Sequence, residues 1–263
     1  MVVKGERMDR KLEKTFGEIL EEILEGIFPS SIYCLCCGNI IDRTRAYSIC
    51  DRCIRDMRWN VGRTCGRCGK MLEDTWHREI CADCMKIEHY FQKGYSCCQY
   101  GNHARSIIFS YKYSNKNYIG RFMGQAMGDM LKGVGDGWDY LVPVPTEKEK
   151  EQERGFDHTY LLARETGKVL GIKAIPALLR TKKTIPQRGL DPVSRRANVQ
   201  GAMELDDYYG TAIQGKHLLL IDDIYTTGAT VDECSRVLLE EGAARVDVAA
   251  FAAGGNRHNQ PED

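Results

Sequence analysis

Residues 217–230 read HLLLIDDIYTTGAT, and this stretch decides the fold class of the chain. Residues 218–221 form a short apolar run, as in a parallel strand that is buried on both faces. Residues 231–241 carry apolar side chains at helical spacing. The order strand, loop, helix therefore predicts a loop at the carboxyl end of a parallel strand, where α/β proteins bind their ligands.

The loop itself combines carboxylates with hydroxyl side chains. Unpaired N–H groups at a helix N-terminus favour a phosphate, and the hydroxyls of Thr226, Thr227 and Thr230 can donate to its oxygens. Ionised Asp222 and Asp223 only accept hydrogen bonds, which suits two adjacent sugar hydroxyls. The stretch predicts a site for ribose 5-phosphate. The alternative is a structural turn in which an Asp caps the helix, but a cap requires one Asp rather than two.

Eight cysteines form a second pattern, a duplicated set of C-x-x-C pairs. Twelve residues separate the first two pairs, and the other two pairs repeat this spacing thirty-one residues later. Two such pairs supply four thiolates to a tetrahedral zinc ion with no open position for a substrate, so we expect two structural zinc ions. The spacing leaves open which pairs share an ion. The predicted ligands are Cys34, Cys37, Cys50, Cys53, Cys65, Cys68, Cys81 and Cys84.

The composition predicts a protein of two unequal parts. At 263 residues, 43% hydrophobic and 28% charged, the chain can bury an α/β core and carry a small additional module. No apolar stretch reaches the eighteen residues that predict a membrane span, so we expect no membrane insertion.

Disulfides between the cysteines are the alternative to zinc binding. The N-terminal residues lack the features of a secretory signal, which favours reduced cysteines and a cytoplasmic location.

The N-terminal residues carry an apolar stripe at helical spacing that ends at Pro29. It predicts an amphipathic helix in residues 1–29, and its acidic opposite face favours packing on protein over binding to anionic lipid.

Cations are distributed unevenly although the formal net charge is zero. Residues 180–200 have a net charge of +5, and residues 101–132 have a net charge of +4. Such clusters are commonly solvated surface, but a predicted anionic ligand favours a role in binding for some of these residues. In the cysteine-rich part, five arginines with an aromatic residue among them could also form a face for single-stranded nucleic acid. They are Arg52, Arg55, Arg58, Arg63 and Arg67, with Trp59.

Helices and strands alternate after the cysteines. We predict helices at 103–113, 119–131 and 155–170, strands at 140–144, 172–175 and 246–251, and a basic loop before the Asp-Asp strand. This alternation predicts a mostly parallel sheet flanked by helices.

Residues 217–230 closely resemble the signature by which type I phosphoribosyltransferases bind phosphoribosyl pyrophosphate (PRPP). Other motifs resemble the ComF family of phosphoribosyltransferase-like proteins. The resemblance spans nearly the whole chain from Phe28 and implies a double zinc ribbon (30–92) and a type I phosphoribosyltransferase-like domain (93–263), which follow the amphipathic helix predicted at 1–29. The motifs are Tyr111-Lys112-Tyr113, Pro143-Val144-Pro145, Arg154-Gly155-Phe156, Gln187, Leu190, Arg195-Arg196-Ala197-Asn198 and Asp222-Asp223.

The resemblance also implies a binding site. PRPP would bind with a Mg²⁺ ion that bridges sugar hydroxyls and pyrophosphate, since magnesium prefers a few oxygen ligands and waters. The basic loop would cover the site and exclude water. Asp222, Asp223 and Arg195 are the expected catalytic residues. The expected PRPP ligands are Asp222, Asp223, Tyr225, Thr226, Thr227, Gly228, Ala229, Thr230, Lys112, Arg154, Arg188, Arg195 and Arg196.

Two functions remain open. The chain either transfers phosphoribose to an unknown acceptor, or acts as a PRPP-gated module that handles single-stranded DNA without catalysis. Bacterial ComF proteins are linked to DNA uptake, which implies single-stranded DNA and a competence helicase-like protein as partners. The family commonly has Asn-Gln where this chain has Asp157-His158, so no family role is carried over to these two positions.

Overall fold

The computed structural model describes residues 32–42, 44–113, 116–135, 137–185 and 189–255. Four parallel strands form the central sheet in the order β1-β6-β5-β2, and β3 and β4 form a separate antiparallel pair. The strands are β1 (Gly94–Gln99), β2 (Tyr140–Pro143), β3 (Leu178–Arg180), β4 (Met203–Leu205), β5 (His217–Tyr225) and β6 (Arg245–Ala253).

Helices flank this sheet, and two short ones belong to the cysteine-rich part. Ala46–Ser48 and Asp207–Tyr209 form single 3₁₀ turns. The α-helices are α1 (Asp51–Asp56), α2 (Ala82–Lys86), α3 (Asn102–Tyr113), α4 (Tyr118–Lys132), α5 (Lys148–Arg154), α6 (His158–Leu170), α7 (Pro192–Val199), α8 (Gly210–Ile213) and α9 (Ala229–Glu240).

The apolar run of β5 is fully buried because both faces of the sheet are covered. Leu219 and Ile221 pack with α3, α4 and the first cysteine repeat. Leu218 and Leu220 point to the other face and pack with α9 and the second cysteine repeat. Alternate side chains of one strand thus enter two different cores, as expected for a strand in the middle of an α/β sheet.

Most predicted elements are present, with small changes in their ends. The helices predicted at 103–113 and 119–131 are α3 and α4, and α9 begins two residues earlier than predicted. Residues 172–175 form no strand but only a parallel bridge between Ala174 and Leu141. The basic segment predicted as a loop contains α7, because Asp191 caps a helix that begins with Pro192.

Strands β1, β3 and β4 were not predicted, since none of them shows a clear apolar alternation. The helix predicted in residues 1–29 lies outside the described residues. Within the described ranges, no helix combines the length and the apolar character that a membrane span requires.

Candidate functional site

A cleft of about 300 Å³ opens at the carboxyl ends of β2 and β5. The end of β5 contributes Asp222 and Asp223, and the start of α9 contributes the loop that follows them. Lys112 reaches the cleft from the end of α3, and His158 from the start of α6. The structure therefore brings together residues that are more than a hundred positions apart in the chain.

The two adjacent carboxylates lie in different environments. Asp223 is buried, and although burial opposes its ionisation, the Lys112 ammonium and His158 hold its pKa well below the usual range. Its Oδ2 lies 2.5 Å from Lys112 Nζ and 3.5 Å from His158 Nε2. Asp222 is half-buried; burial and the charge of Asp223 raise its pKa to about 7. One carboxylate is thus ionised and paired, and the other titrates near neutral pH.

Arg154 extends this network of contacts. Its Nη1 donates to His158 Nδ1 over 2.8 Å, and this leaves the Nε2 side of the imidazole facing Asp223. Tyr111 fixes the start of α6, because its hydroxyl donates to the His158 carbonyl over 2.6 Å. Lys112 and Arg154, both predicted as anion ligands, therefore line one cleft with the Asp pair.

The loop after β5 presents backbone donors to the cleft. Gly228 has a φ of 81°, and α9 begins after it without a side-chain cap, so amide groups at the helix start are available to an anion. Thr226, Gly228, Ala229 and Thr230 line the cleft. The Thr227 hydroxyl is buried without a hydrogen-bond partner in the described part of the chain.

The Tyr225 ring packs behind this loop, where its hydroxyl would lie 2.5 Å from a Cβ added to Gly228. Its ring is buried against Phe91 with the ring centroids 6.1 Å apart, and the Lys70 ammonium lies 5.5 Å from its centroid. The Tyr225 side chain therefore faces the second cysteine repeat rather than the cleft.

The far wall of the cleft contains an ion-pair cluster that the sequence analysis missed. Glu147 Oε1 lies 3.0 Å from Arg180 Nη2, and Glu147 Oε2 lies 2.8 Å from Lys150 Nζ. Arg180 also donates to Thr184. A sequence signal existed, because alternating charges from Glu147 to Lys150 directly follow a predicted strand.

Two of the predicted loop arginines lie outside this cleft. Arg196 Nη2 is 2.7 Å from Asp232 Oδ2 of α9, and Arg195 Nε donates to the Leu190 carbonyl over 2.9 Å. Arg188 lies outside the described residues. The expected closure of these three arginines over a ligand therefore stays a prediction.

The cysteines form two separate tetrads. In each tetrad all four Sγ atoms lie within 4.8 Å of one another, and the pairing is sequential: the first two C-x-x-C pairs form one tetrad and the last two form the other. Backbone N–H groups support the sulfurs, with Cys50 N 3.3 Å from Cys34 Sγ and Cys81 N 3.2 Å from Cys65 Sγ. Four converging sulfurs with amide donors match a structural zinc site, and no ligand position is left for a substrate.

Several arginines of the predicted nucleic-acid face are engaged within the protein. Arg58 donates to Gln99, Arg63 to the Trp76 carbonyl and Arg67 to the Gln92 carbonyl. These side chains brace the cysteine repeats, so a basic face there would have to rely more on Arg52 and Arg55.

Comparisons with known proteins match two parts of the chain to two families of domain. A family model described as a double zinc ribbon domain matches residues 23–85, and one described as a phosphoribosyl transferase domain matches residues 169–263. Competence protein F of Haemophilus influenzae is 25% identical over 224 residues, covering 82% of this chain and 94% of its own.

Two further relatives match the chain with similar identity and coverage. The DNA utilization protein YhgH of Escherichia coli K12 is 27% identical over 214 residues, which cover 77% of this chain and 88% of YhgH. Competence protein ComFC of Bacillus subtilis is 26% identical over 205 residues, which cover 74% of this chain and 80% of ComFC.

Over most of its length the chain is similar to these competence and DNA utilization proteins, and it resembles the ComF family. Its fold is a type I phosphoribosyltransferase-like parallel sheet behind a double zinc ribbon with two four-cysteine zinc-binding sites, as the sequence predicts. Glutamine PRPP amidotransferase from B. subtilis aligns with 17% identity and a TM-score of 0.36, covering 53% of this chain and 30% of that one. The fold assignment rests on the strand order and the family models instead.

The departure of this chain from the ComF pattern at Asp157-His158 has a structural explanation. Asp157 caps α6, since its Oδ1 accepts a hydrogen bond from Tyr160 N over 3.0 Å, and Asp is a favoured capping residue. His158 lines the cleft between Arg154 and Asp223. Asp157 therefore stabilises the start of α6, and the His158 side chain is part of the candidate site.

Proposed function

We propose that this chain binds PRPP with Mg²⁺ in the cleft at the end of β5 and transfers phosphoribose to an acceptor. One observation carries the proposal: an adjacent carboxylate pair and an uncapped helix N-terminus line the same cleft. The carboxylates suit the ribose hydroxyls, and the amides of the loop suit the 5-phosphate.

The remaining cleft residues fit the other parts of this ligand. Lys112 and Arg154 supply positive charge for the pyrophosphate beside the Asp pair. Asp223 has cationic neighbours, whereas Asp222 has no ion-pair partner among the described residues, so its carboxylate is available to Mg²⁺ or to its waters. When bound, Mg²⁺ would neutralise charge on the leaving pyrophosphate. His158 and Lys112 both approach Oδ2 of Asp223 and so hold this carboxylate in place.

Binding is tested with the double variant Asp222→Asn/Asp223→Asn, which preserves side-chain volume. Each charge-assisted hydrogen bond contributes roughly 1.5–3 kcal/mol, so PRPP affinity measured by calorimetry should fall at least about tenfold. Exposed Asp207, outside the cleft, provides the control variant Asp207→Asn, which should bind as wild type. Equal PRPP affinity in wild type and the double variant would rule out this site.

Transfer is tested separately from binding. Pyrophosphate release from PRPP is measured with a panel of nucleobases and amines, and the same double variant serves as the inactive control. Release that depends on one acceptor supports a transferase. PRPP binding without release under any condition would instead favour the second candidate.

The second candidate is a PRPP-gated module that handles single-stranded DNA. Phe109 and Tyr113 are 61% and 65% exposed, and their ring centroids are 4.9 Å apart. The Arg154 guanidinium lies 5.6 Å from the Tyr113 centroid, so this aromatic surface adjoins the cleft. Exposed aromatic rings next to a cation are typical of surfaces on which unpaired bases stack. The names of the relatives, competence and DNA utilization proteins, support this candidate.

The DNA proposal is tested by titrating a single-stranded oligonucleotide with and without PRPP. Affinity should fall log-linearly with salt, with a slope of roughly 0.7 per contacted phosphate. Phe109→Ala should weaken binding because stacking contributes about 1–3 kcal/mol per base, and it leaves Arg154 in place. Exposed Tyr208, outside the cleft, provides the control Tyr208→Ala. Binding that is unaffected by Phe109→Ala would exclude this surface.

A further inference from the structure

The second zinc ribbon contacts the loop after β5 through one buried histidine. The His89 side chain is 1% exposed, and its two ring nitrogens face different parts of the molecule. Nε2 lies 3.4 Å from Sγ of the zinc ligand Cys84, and Nδ1 lies 2.8 Å from Asp232 Oδ2. His89 therefore joins a metal-ligating sulfur directly to α9.

Asp232 receives contacts from three residues in two segments. It lies in the first turn of α9 and is 3% exposed. Besides His89, its carboxylate accepts from Tyr90 N over 3.3 Å and pairs with Arg196 Nη2 of α7 over 2.7 Å. The start of α9 is thus held by the zinc ribbon on one side and by the basic helix on the other.

The loop also rests on the same residues through packing. A Cβ added to Gly228 would lie 3.1 Å from His89 Cε1 and 2.5 Å from the Tyr225 hydroxyl. Phe91 stacks on His89 with the centroids 4.7 Å apart and meets Tyr225 edge to face. Movement of His89 would therefore displace the backbone that presents amides to the cleft.

The first ribbon does not repeat this arrangement. The position thirty-one residues before His89 is Arg58. Arg58 Nη1 donates to Gln99 Oε1 over 2.6 Å and so contacts the end of β1. The contact of a zinc ligand with α9 is therefore particular to the second repeat and does not follow from the duplication.

We propose that His89 and Asp232 are positioning residues that couple the second zinc site to the phosphate loop, so that zinc and the phosphosugar bind cooperatively. Partners of a metal ligand orient that ligand and are oriented by it, so zinc at Cys84 fixes His89, and His89 fixes the start of α9. By linkage, a phosphosugar that orders the loop retains zinc in the second tetrad. The inference rests on the proposed function, because it takes this loop as the phosphate site.

The affinity test uses His89→Phe, which keeps an aromatic ring against Phe91 but removes both polar contacts. Ribose 5-phosphate affinity, measured by calorimetry on protein with two zinc ions per chain, should fall about fivefold or more. Asp232→Asn should act in the same direction, and Arg58→Gln, at the equivalent position of the first ribbon, should bind as wild type. Wild-type affinity in both His89→Phe and Asp232→Asn, each with full zinc, would overturn the coupling.

The reciprocal test measures zinc release to a chelator with and without ribose 5-phosphate. Alkylation of the freed cysteines followed by mass spectrometry tells which tetrad has lost its ion. The ligand should slow release from the tetrad of Cys84 and leave the tetrad of Cys53 unchanged. Without any ligand, Asp232→Asn should speed release from the Cys84 tetrad about tenfold.

These two readouts separate the inference from the proposed function. A wild-type protein that binds neither ribose 5-phosphate nor PRPP would contradict the proposed function, and the ligand-free release rates would still report the coupling. Identical release rates in wild type and Asp232→Asn would overturn it.

Discussion

Asp222 and Asp223 are adjacent in the chain but have different electrostatic roles, because their neighbours differ. Asp223 faces Lys112 and His158, which stabilise its charge. Asp222 forms no ion pair within the described part of the chain and is close to the charge of Asp223, so its pKa rises to about 7. A half-buried carboxyl that ionises at neutral pH is poised to lose its proton when a ligand or cation arrives.

This pKa predicts a pH-dependent affinity. Because ionised Asp222 is the better acceptor for ribose hydroxyls and Mg²⁺, PRPP affinity should rise with pH up to about 7 and then level off. The phosphates of the ligand titrate in the same range, so calorimetry at several pH values must compare wild type with Asp222→Asn. Only the wild type should show the additional rise. Parallel profiles for the two proteins would contradict the role of this carboxyl.

The raised pKa of Asp222 also makes the free energy of unfolding depend on pH. The folded-state pKa of Asp222 is raised above its ordinary value of 3.8, so this group stabilises the fold at low pH. That contribution is lost as the pH rises through the folded-state value of about 7. Ligand-free Asp222→Asn should therefore unfold at a higher temperature than wild type at about pH 8, and the difference should vanish near about pH 4.

At the scale of elements, close packing of α4 on α6 positions the cleft. Three glycines at four-residue spacing, Gly120, Gly124 and Gly128, form one face of α4. A Cβ at Gly124 would lie 2.5 Å from Glu165 Cβ, and one at Gly128 would lie 2.5 Å from Val169 Cβ. Since α6 begins with His158, this close approach determines where the imidazole meets Asp223.

Gly124→Leu should therefore destabilise the protein. Overpacking of a tight helix contact costs typically about 1–3 kcal/mol, and the shift of α6 should also weaken PRPP binding. Gly133→Ala at the end of α4 is the control, because Gly133 has a φ of −70° and its nearest neighbouring atom is 3.5 Å from an added Cβ. Chemical denaturation measures the stability of both variants. Equal unfolding midpoints for Gly124→Leu and Gly133→Ala would contradict the packing argument.

At the scale of the whole molecule, the two zinc ribbons take part in the two cores of the sheet. Cys34, Cys53 and Met57 of the first ribbon pack into the core that contains α3 and α4. Cys65, Leu72 and Cys81 of the second ribbon pack into the core that contains α9. The domain boundary between residues 92 and 93 stays a prediction, and hydrophobic contacts cross it on both faces of the sheet.

Zinc removal should therefore destabilise the sheet domain as well as the ribbons. In a chain of this size, each kcal/mol lost from the free energy of unfolding lowers the melting temperature by about 2–4 °C. Zinc removal should cost a few kcal/mol, so chelation should lower the melting temperature by roughly 10 °C. With Trp59→Phe and Trp76→Phe, buried Trp138 reports on the sheet alone. Metal analysis before chelation should find two zinc ions per chain. A Trp138 transition that chelation leaves unchanged would show independent domains.

The sequence by itself determined the features that depend on short spacing. The Asp222-Asp223 strand with its loop, the eight cysteine ligands and the alternation of helices and strands all follow from residues that are near one another in the chain. The capped start of α7 at Asp191-Pro192 is also encoded locally, since Asp before Pro is a typical helix start, although the basic composition of the segment predicts a loop.

Only the tertiary structure decided which distant residues meet. It paired the C-x-x-C units sequentially, placed Lys112 on Asp223, and set Arg196 on Asp232 instead of in the cleft. It also joined His89 to Asp232 across 143 positions of the chain. Local periodicity fixes which face of an element is buried, but these contacts depend on how the faces of several elements pack together, and no short-range pattern encodes that choice.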